Sequence, residues 1–181
     1  YTVGNVYNAG NMTGTNYVGQ TAIVDPLAAL TTPTAATMGS CTSSSAITSS
    51  SSATTTISAG RYCGGINFTG AGKTLVMNAG TYYVESIFNV GTGATLDATA
   101  GVTIVIVGTY CLGDTDNLCD HVDEGIGNTA NIKITAPTGA TTSTSGDTNN
   151  YKGVAMYFSN SNMRQHNFAN NSDLHIQGAL Y

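Results

Sequence analysis

The feature that most constrains this chain is a repeat. "SAGRYCGGINF" (58–68) and "NAGTYYVESIF" (78–88) share an Ala-Gly pair, an aromatic residue two positions on and an Ile/Phe ending. Ala59-Gly60, Ala79-Gly80 and Ala100-Gly101 follow one another at 20 and then 21 residues. A short β-prone run precedes each pair ("TTTIS", "KTLVM", "ATLDA") and another follows ("RYCGGINF", "TYYVESIF", "VTIVIVG"). A partial fourth copy, "NIKITAP" (131–137), sets Ile132 and Ile134 at the positions of Leu75 and Met77. A period of ~20 residues made of strand and turn is the size of one coil of a stacked β repeat. Glycine at the corners supplies the positive φ or tight bend that such turns need. "VTIVIVG" carries β-branched residues on both faces, as expected of a strand covered on both sides.

The expected fold is therefore all-β, a single parallel β-solenoid (β-helix) with ~20-residue coils and long loops. Residues 1–40 read as an irregular N-terminal segment or cap and 41–181 as the solenoid domain. A leucine-rich repeat lacks its consensus here, and a propeller blade needs about twice the period. Within the cap, "DPLAAL" predicts a short helical turn, with Asp25 as N-cap and Pro26 at the first helical position. "CTSSSAITSSSSATTT" (41–56) reads as a low-complexity linker or as a Ser/Thr-rich coil held by Cys41. Residues 136–150 read as a long exposed loop.

Composition narrows the function classes. Charged residues make up 8% of the chain, against roughly 25% in ordinary soluble domains. The polar surface must then come from Ser, Thr, Asn and Gly, which suits strands and turns and serves surface helices poorly. With a net charge of −5 and five scattered cations (Arg61, Lys73, Lys133, Lys152, Arg164), the chain lacks the footprint of a nucleic-acid binder. Four cysteines permit three pairings. The close spacing of Cys111 and Cys119 favours a small closed loop, which leaves Cys41 with Cys63. Disulfides and an oxidising compartment are the expectation. A Cys₄ zinc site is the alternative, but neither pair has the short knuckle spacing. No apolar run is long enough to span a membrane, and no signal peptide is recognisable. An opening Tyr1 fits a processed or excised extracellular portion.

Several stretches invite chemistry. "GAGKT" (70–74) has Asn67 where a P-loop needs its first glycine and leads into a strand, so it reads as a polar turn. "CLGDTDNLCDHVDEG" (111–125) gathers Asp114, Asp116, Asp120, Asp123 and Glu124. Clustered carboxylates repel unless solvated or neutralised by a cation, and Ca²⁺ suits a flexible acidic loop. The five acids are the candidate calcium ligands, although Gly125 stands where an EF-hand needs Glu. The plainer reading is a solvated loop pinned by a Cys111–Cys119 bond. His121 with Glu124 supplies two zinc ligands, too few for a site. Beyond the loop lie Asp25, Glu85, Asp97, Asp147 and Asp173. A pair such as Asp97 and Glu85 on neighbouring coils is what glycosidic chemistry needs. The repeat, however, puts no basic residue or His beside them. His166 and His175 lack a nucleophile partner and read as surface or strand-edge histidines. Ice binding needs a regular T-x-T ladder, which is missing beyond Thr54–Thr56.

"SAGRYCGGINFTGAGKTLVMNAGTYYVESIFNVGTGATLDATAGVTIVIVG" resembles the C-terminal region of TadG-like proteins of tight-adherence (Flp-type) pilus assembly. The downstream "ITAPTGATTSTSGDTNNYKGVAMYFSNSN" and "LHIQGALY" are similar to that family's later segments, and "VDPLAAL" and "CT" have upstream counterparts. The resemblance spans roughly residues 21–181, with "YCGG" and "QGALY" its most specific parts. It departs in Ala-Gly for Pro-Gly and in the 111–125 insertion. The resemblance implies a non-enzymatic, β-helical, cell-surface or periplasmic domain, an associational warrant. The expected partners are other cell-surface or pilus proteins, the chain itself as a homopolymer, or glycans. The alternatives are a self-assembling filament subunit and a carbohydrate-active β-helix enzyme.

Overall fold

The computed structural model describes residues 25, 27–107, 123–126 (backbone), 129–140, 146–159 and 172–181. Strands fall into three sheets, and every pairing is parallel. The six-stranded sheet runs β1 (Cys41–Ser43), β3 (Gly60–Tyr62), β6 (Gly80–Val84), β9 (Val102–Ile106), β12 (Val154–Phe158), β14 (Ala179–Leu180). The three-stranded sheet runs β10 (Asp123–Ile126), β7 (Ile87–Val90), β4 (Ile66–Phe68). The five-stranded sheet runs β13 (Asp173–Gln177), β11 (Asn131–Thr135), β8 (Thr95–Ala98), β5 (Thr74–Met77), β2 (Thr54–Ile57).

The all-β expectation holds, but the single solenoid of ~20-residue coils is corrected. The chain instead makes three parallel sheets of unequal size. The ~20-residue spacing lasts only from β2 through β8, where Thr54 pairs with Thr74 and Thr74 with Thr95. Thr95 next pairs with Asn131, and Asn131 with Asp173, so the intervals lengthen to 36 and 42 residues. The physical reason is that the sequence between β9 and β11, and again between β11 and β13, is too long for a tight turn.

One apolar cluster lies inside the three sheets. Leu75, Leu96 and Ile132 stand in register and are at most 1% exposed. Strand alternation explains their burial, because each sits between outward-facing neighbours. Tyr62 and Tyr82 stack with ring centroids 5.8 Å apart. Their hydroxyls donate to the carbonyls of Ser58 (2.5 Å) and Asn78 (2.8 Å), so two large rings are buried with their polar tips satisfied. The Ala-Gly pairs are close approaches. A Cβ on Gly80, whose φ is 133°, would lie 2.6 Å from the Ala59 Cβ.

The six-stranded sheet is also covered outside. All five residues of β9 are buried, as its two-faced apolar pattern implies. Met38, Tyr83, Val105, Val107, Tyr151 and Tyr157 join a second cluster there, against which Leu27 and Leu30 pack. The covering segment contains α1 (Ala35–Met38), four residues closed by a capping box between Thr34 and Thr37 and ended at Gly39. The helical turn expected at "DPLAAL" is a turn only. The Leu27 amide does bond Asp25 Oδ1 at 2.8 Å, but the hydrogen bonds stop at Leu30. The Ser/Thr-rich run is no linker. It supplies β1, an Ile47–Ile66 bridge and β2.

Candidate functional site

The acidic-loop hypothesis reaches few described residues. Asp114, Asp116, Asp120, His121, Cys111 and Cys119 lie outside them, as does His166. Asp123 and Glu124 belong to β10, whose backbone pairs with Ile87 and Phe88 of β7. Cys41 and Cys63 do form a disulfide, with a Cα–Cα distance of 5.8 Å, which ties β1 to the end of β3.

Two outer carboxylates have basic neighbours that the repeat did not reveal. Glu85, 1% exposed, receives the Arg61 Nε at 2.6 Å. Nη1 of the same guanidinium donates to the carbonyls of Gly39 (2.7 Å) and Ala35 (3.3 Å). One buried ion pair thus anchors α1 to β3 and the end of β6. Asp97 stands in register with Lys133, and Lys133 with His175. Asp97 Oδ1 accepts the Thr99 hydroxyl at 2.7 Å. The expectation that neither carboxylate has a cation or His beside it is therefore corrected. Glu85 and Asp97 are nonetheless engaged separately, one under α1 and one on the outer face of the five-stranded sheet.

Asp147 works inside the covering layer. Its Oδ2 accepts the hydroxyls of Tyr83 (2.7 Å) and Tyr151 (2.9 Å), and its Oδ1 accepts the Asn149 amide (2.9 Å). Asn149 in turn holds both the amide and the carbonyl of Thr31. Burial, then the Asp147 charge, pushes the Tyr151 hydroxyl far above its ordinary value. So the 136–150 stretch is only partly an exposed loop. Ala136 and Asn149 are buried, and the latter fastens residue 31 to the sheet.

The five-stranded sheet carries a partly exposed polar face. One row across it reads Thr54, Thr74, Thr95, Asn131, Asp173, and the next reads Thr56, Val76, Asp97, Lys133, His175. Rows of this kind repeat at the strand spacing of ~4.8 Å. Three threonines share the first row, but the second breaks after Thr56, so a two-row threonine ladder does not form. His175, on the edge strand as expected, donates Nε2 to Asp173 at 2.9 Å with both side chains well exposed. A shallow groove of about 380 Å³ runs here beside Thr99, Lys133, Thr135, His175 and Gln177. Hydroxyl, amide, carboxylate and ammonium groups line a rigid face, a set that suits hydrogen bonding to a polar polymer.

"GAGKT" forms the turn from β4 to β5. The Lys73 ammonium is occupied by the carbonyls of Ser51 (2.8 Å) and Ser52 (3.0 Å). Sequence reasoning missed the Arg61–Glu85 pair and the Tyr83–Asp147–Tyr151 network. The one signal for the former was an Arg and a Glu set among apolar repeat positions.

No family model, curated protein or solved structure matches this chain. Among the described residues no helix is long and apolar enough to cross a membrane, and none gather as a metal-binding cluster.

Proposed function

We propose that this chain is a non-enzymatic structural or adhesive domain of a bacterial cell-surface or pilus-associated protein, working outside the cytoplasm. The observation that carries the reading is the Cys41–Cys63 disulfide, which staples the first strand of a rigid parallel stack. Disulfides of this kind belong to oxidising compartments. The sparse charge and the Ser/Thr/Asn surface fit the same setting, and the likeness of "YCGG" and "QGALY" to TadG-like proteins supports it by analogy. The mechanism is mechanical. The stacked core holds the polar face of the five-stranded sheet flat and at fixed spacing, so that many weak contacts to a partner surface add together.

The test is attachment under flow. Cells producing the parent protein without residues 25–181 should detach at lower shear than cells with the intact protein, and restoring the segment should restore attachment. Equal detachment of the two strains would refute the adhesive reading.

A further inference from the structure

The segment that supplies β1 and β2 is almost all hydroxyl. Twelve of the sixteen residues from 41 to 56 are Ser or Thr, and none is charged. The segment borders all three sheets. β1 is an edge of the six-stranded sheet, β2 is an edge of the five-stranded sheet, and Ile47 bridges to Ile66 of β4. The Thr74 amide bonds the Ala53 carbonyl and the Asn78 amide bonds the Ile57 carbonyl, so odd-numbered residues of β2 face β5. By alternation the amides of Thr54 and Thr56 face away from the sheet. Natural edges of this kind are blunted by charge, by proline or by cover. Residues 41–60 contain no charge and no proline, which leaves cover.

The hydroxyls of this segment divide into two groups. Thr42 accepts the Arg61 amide, Ser43 donates to the Ser45 carbonyl, and Ser50 accepts the Ser52 amide. The side chains of Ser44, Ser45, Thr48, Ser51, Ser52 and Thr54 are exposed, and their hydroxyls have no hydrogen-bond partner among the described residues. Dense, exposed Ser and Thr is the composition of O-glycosylated surfaces. Phosphate fits less well, because a phosphorylated cluster is held by facing cations. The cations nearest in sequence are already occupied, Arg61 by Glu85 and Lys73 by the carbonyls of Ser51 and Ser52. We infer that Ser and Thr side chains between residues 44 and 54 are acceptors of O-linked sugars, which cover this edge. In the transfer step the hydroxyl oxygen bonds to the anomeric carbon of a sugar held as its diphosphate ester. The bond from that carbon to the diphosphate oxygen breaks, the diphosphate leaves with the electron pair, and the hydroxyl proton passes to a base of the transferase. The inference stands apart from the adhesive reading, since a sugar-covered edge needs no attachment partner.

The test is the mass of the tryptic peptide that ends at Arg61, taken from protein purified from its producing cells. An excess over the sequence mass equal to whole sugar residues is expected. Alkaline β-elimination should remove it, and fragment ions should place the modified side chains between residues 44 and 54. In the full-length variant Ser44→Ala, Ser45→Ala, Thr48→Val, Ser51→Ala, Ser52→Ala, Thr54→Val the excess should disappear. A peptide at its plain sequence mass, an excess of phosphate in place of sugar, sugars placed only outside 44–54, or a full excess retained by the variant would each overturn the inference. Should the variant fail to fold, the mapping on the parent protein decides alone.

Discussion

Replacing Arg61 with Met tests how α1 is held to the sheet. The Glu85 carboxylate is 1% exposed, and its Oε2 has no hydrogen-bond partner, so its stabilisation rests on the 2.6 Å bond from Arg61 Nε to Oε1. Removing one partner of a buried ion pair costs about 3–5 kcal/mol, because a buried charge is left uncompensated. The variant also strips the Gly39 and Ala35 carbonyls of a donor, each worth about 1 kcal/mol or less in their partly exposed setting. A loss of about 4 kcal/mol is expected, a large share of the ~5–15 kcal/mol typical of a domain. Replacing both partners with apolar residues (Arg61→Met with Glu85→Leu) should recover at least half of it, since the stranded charge is gone. The chain has no Trp, so guanidinium unfolding is followed by tyrosine fluorescence and far-UV dichroism. A single-variant loss below about 1 kcal/mol, or a double variant no more stable than the single, would refute the argument.

Other perturbations have equally definite outcomes. Cys41→Ala with Cys63→Ala removes a link across 22 residues and should cost about 3 kcal/mol by the chain-entropy account, read as a lower denaturation midpoint. Burial raises the hydroxyl pKa of Tyr62, Tyr82 and Tyr151, so above pH ~10 the unfolded chain holds fewer protons than the folded one and stability falls as pH rises. The slope, from unfolding midpoints between pH 8 and 11, should be near zero below pH 9 and steepen above pH ~10, by up to ~1.4 kcal/mol per pH unit for each tyrosine that stays protonated in the folded chain. Gly65→Ala places a Cβ 2.4 Å from the Ile87 backbone at a φ of 78° and should cost about 2 kcal/mol or more. Gly139→Ala meets nothing within 4 Å and should stay within about 0.5 kcal/mol of the parent.

The repeat made the strands readable because inward positions recur at short range. Leu75 and Leu96 announce themselves through alternation and a period near 20 residues, Ile132 through alternation in the partial copy "NIKITAP", and the structure sets all three in register. That period could not predict sheet size, since it says nothing of the long sequences that separate β9 from β11 and β11 from β13. The outer cover was legible only by implication, in the two-faced apolar run of β9. Its partners are 22 to 118 residues away in sequence, as in the Arg61–Gly39 and Asn149–Thr31 bonds, and no local pattern encodes such distances. The helix fell at Ala35–Met38 rather than at "DPLAAL" because Thr34 and Thr37 cap each other, whereas the bonds begun at Asp25 end at Leu30. The polar face was invisible as a site because its rows assemble one residue from each of five strands.

The central claim is that this stack works outside the cytoplasm as a displayed structural domain. Intact producing cells, treated with a membrane-impermeant amine reagent and a thiol-blocking alkylator before lysis, test it most directly by peptide mass analysis. The account predicts that the exposed Lys133 and Lys152 are labelled on whole cells and that Cys41 and Cys63 are recovered joined. Lysine labelling only after lysis, with both cysteines alkylated as free thiols, would contradict it.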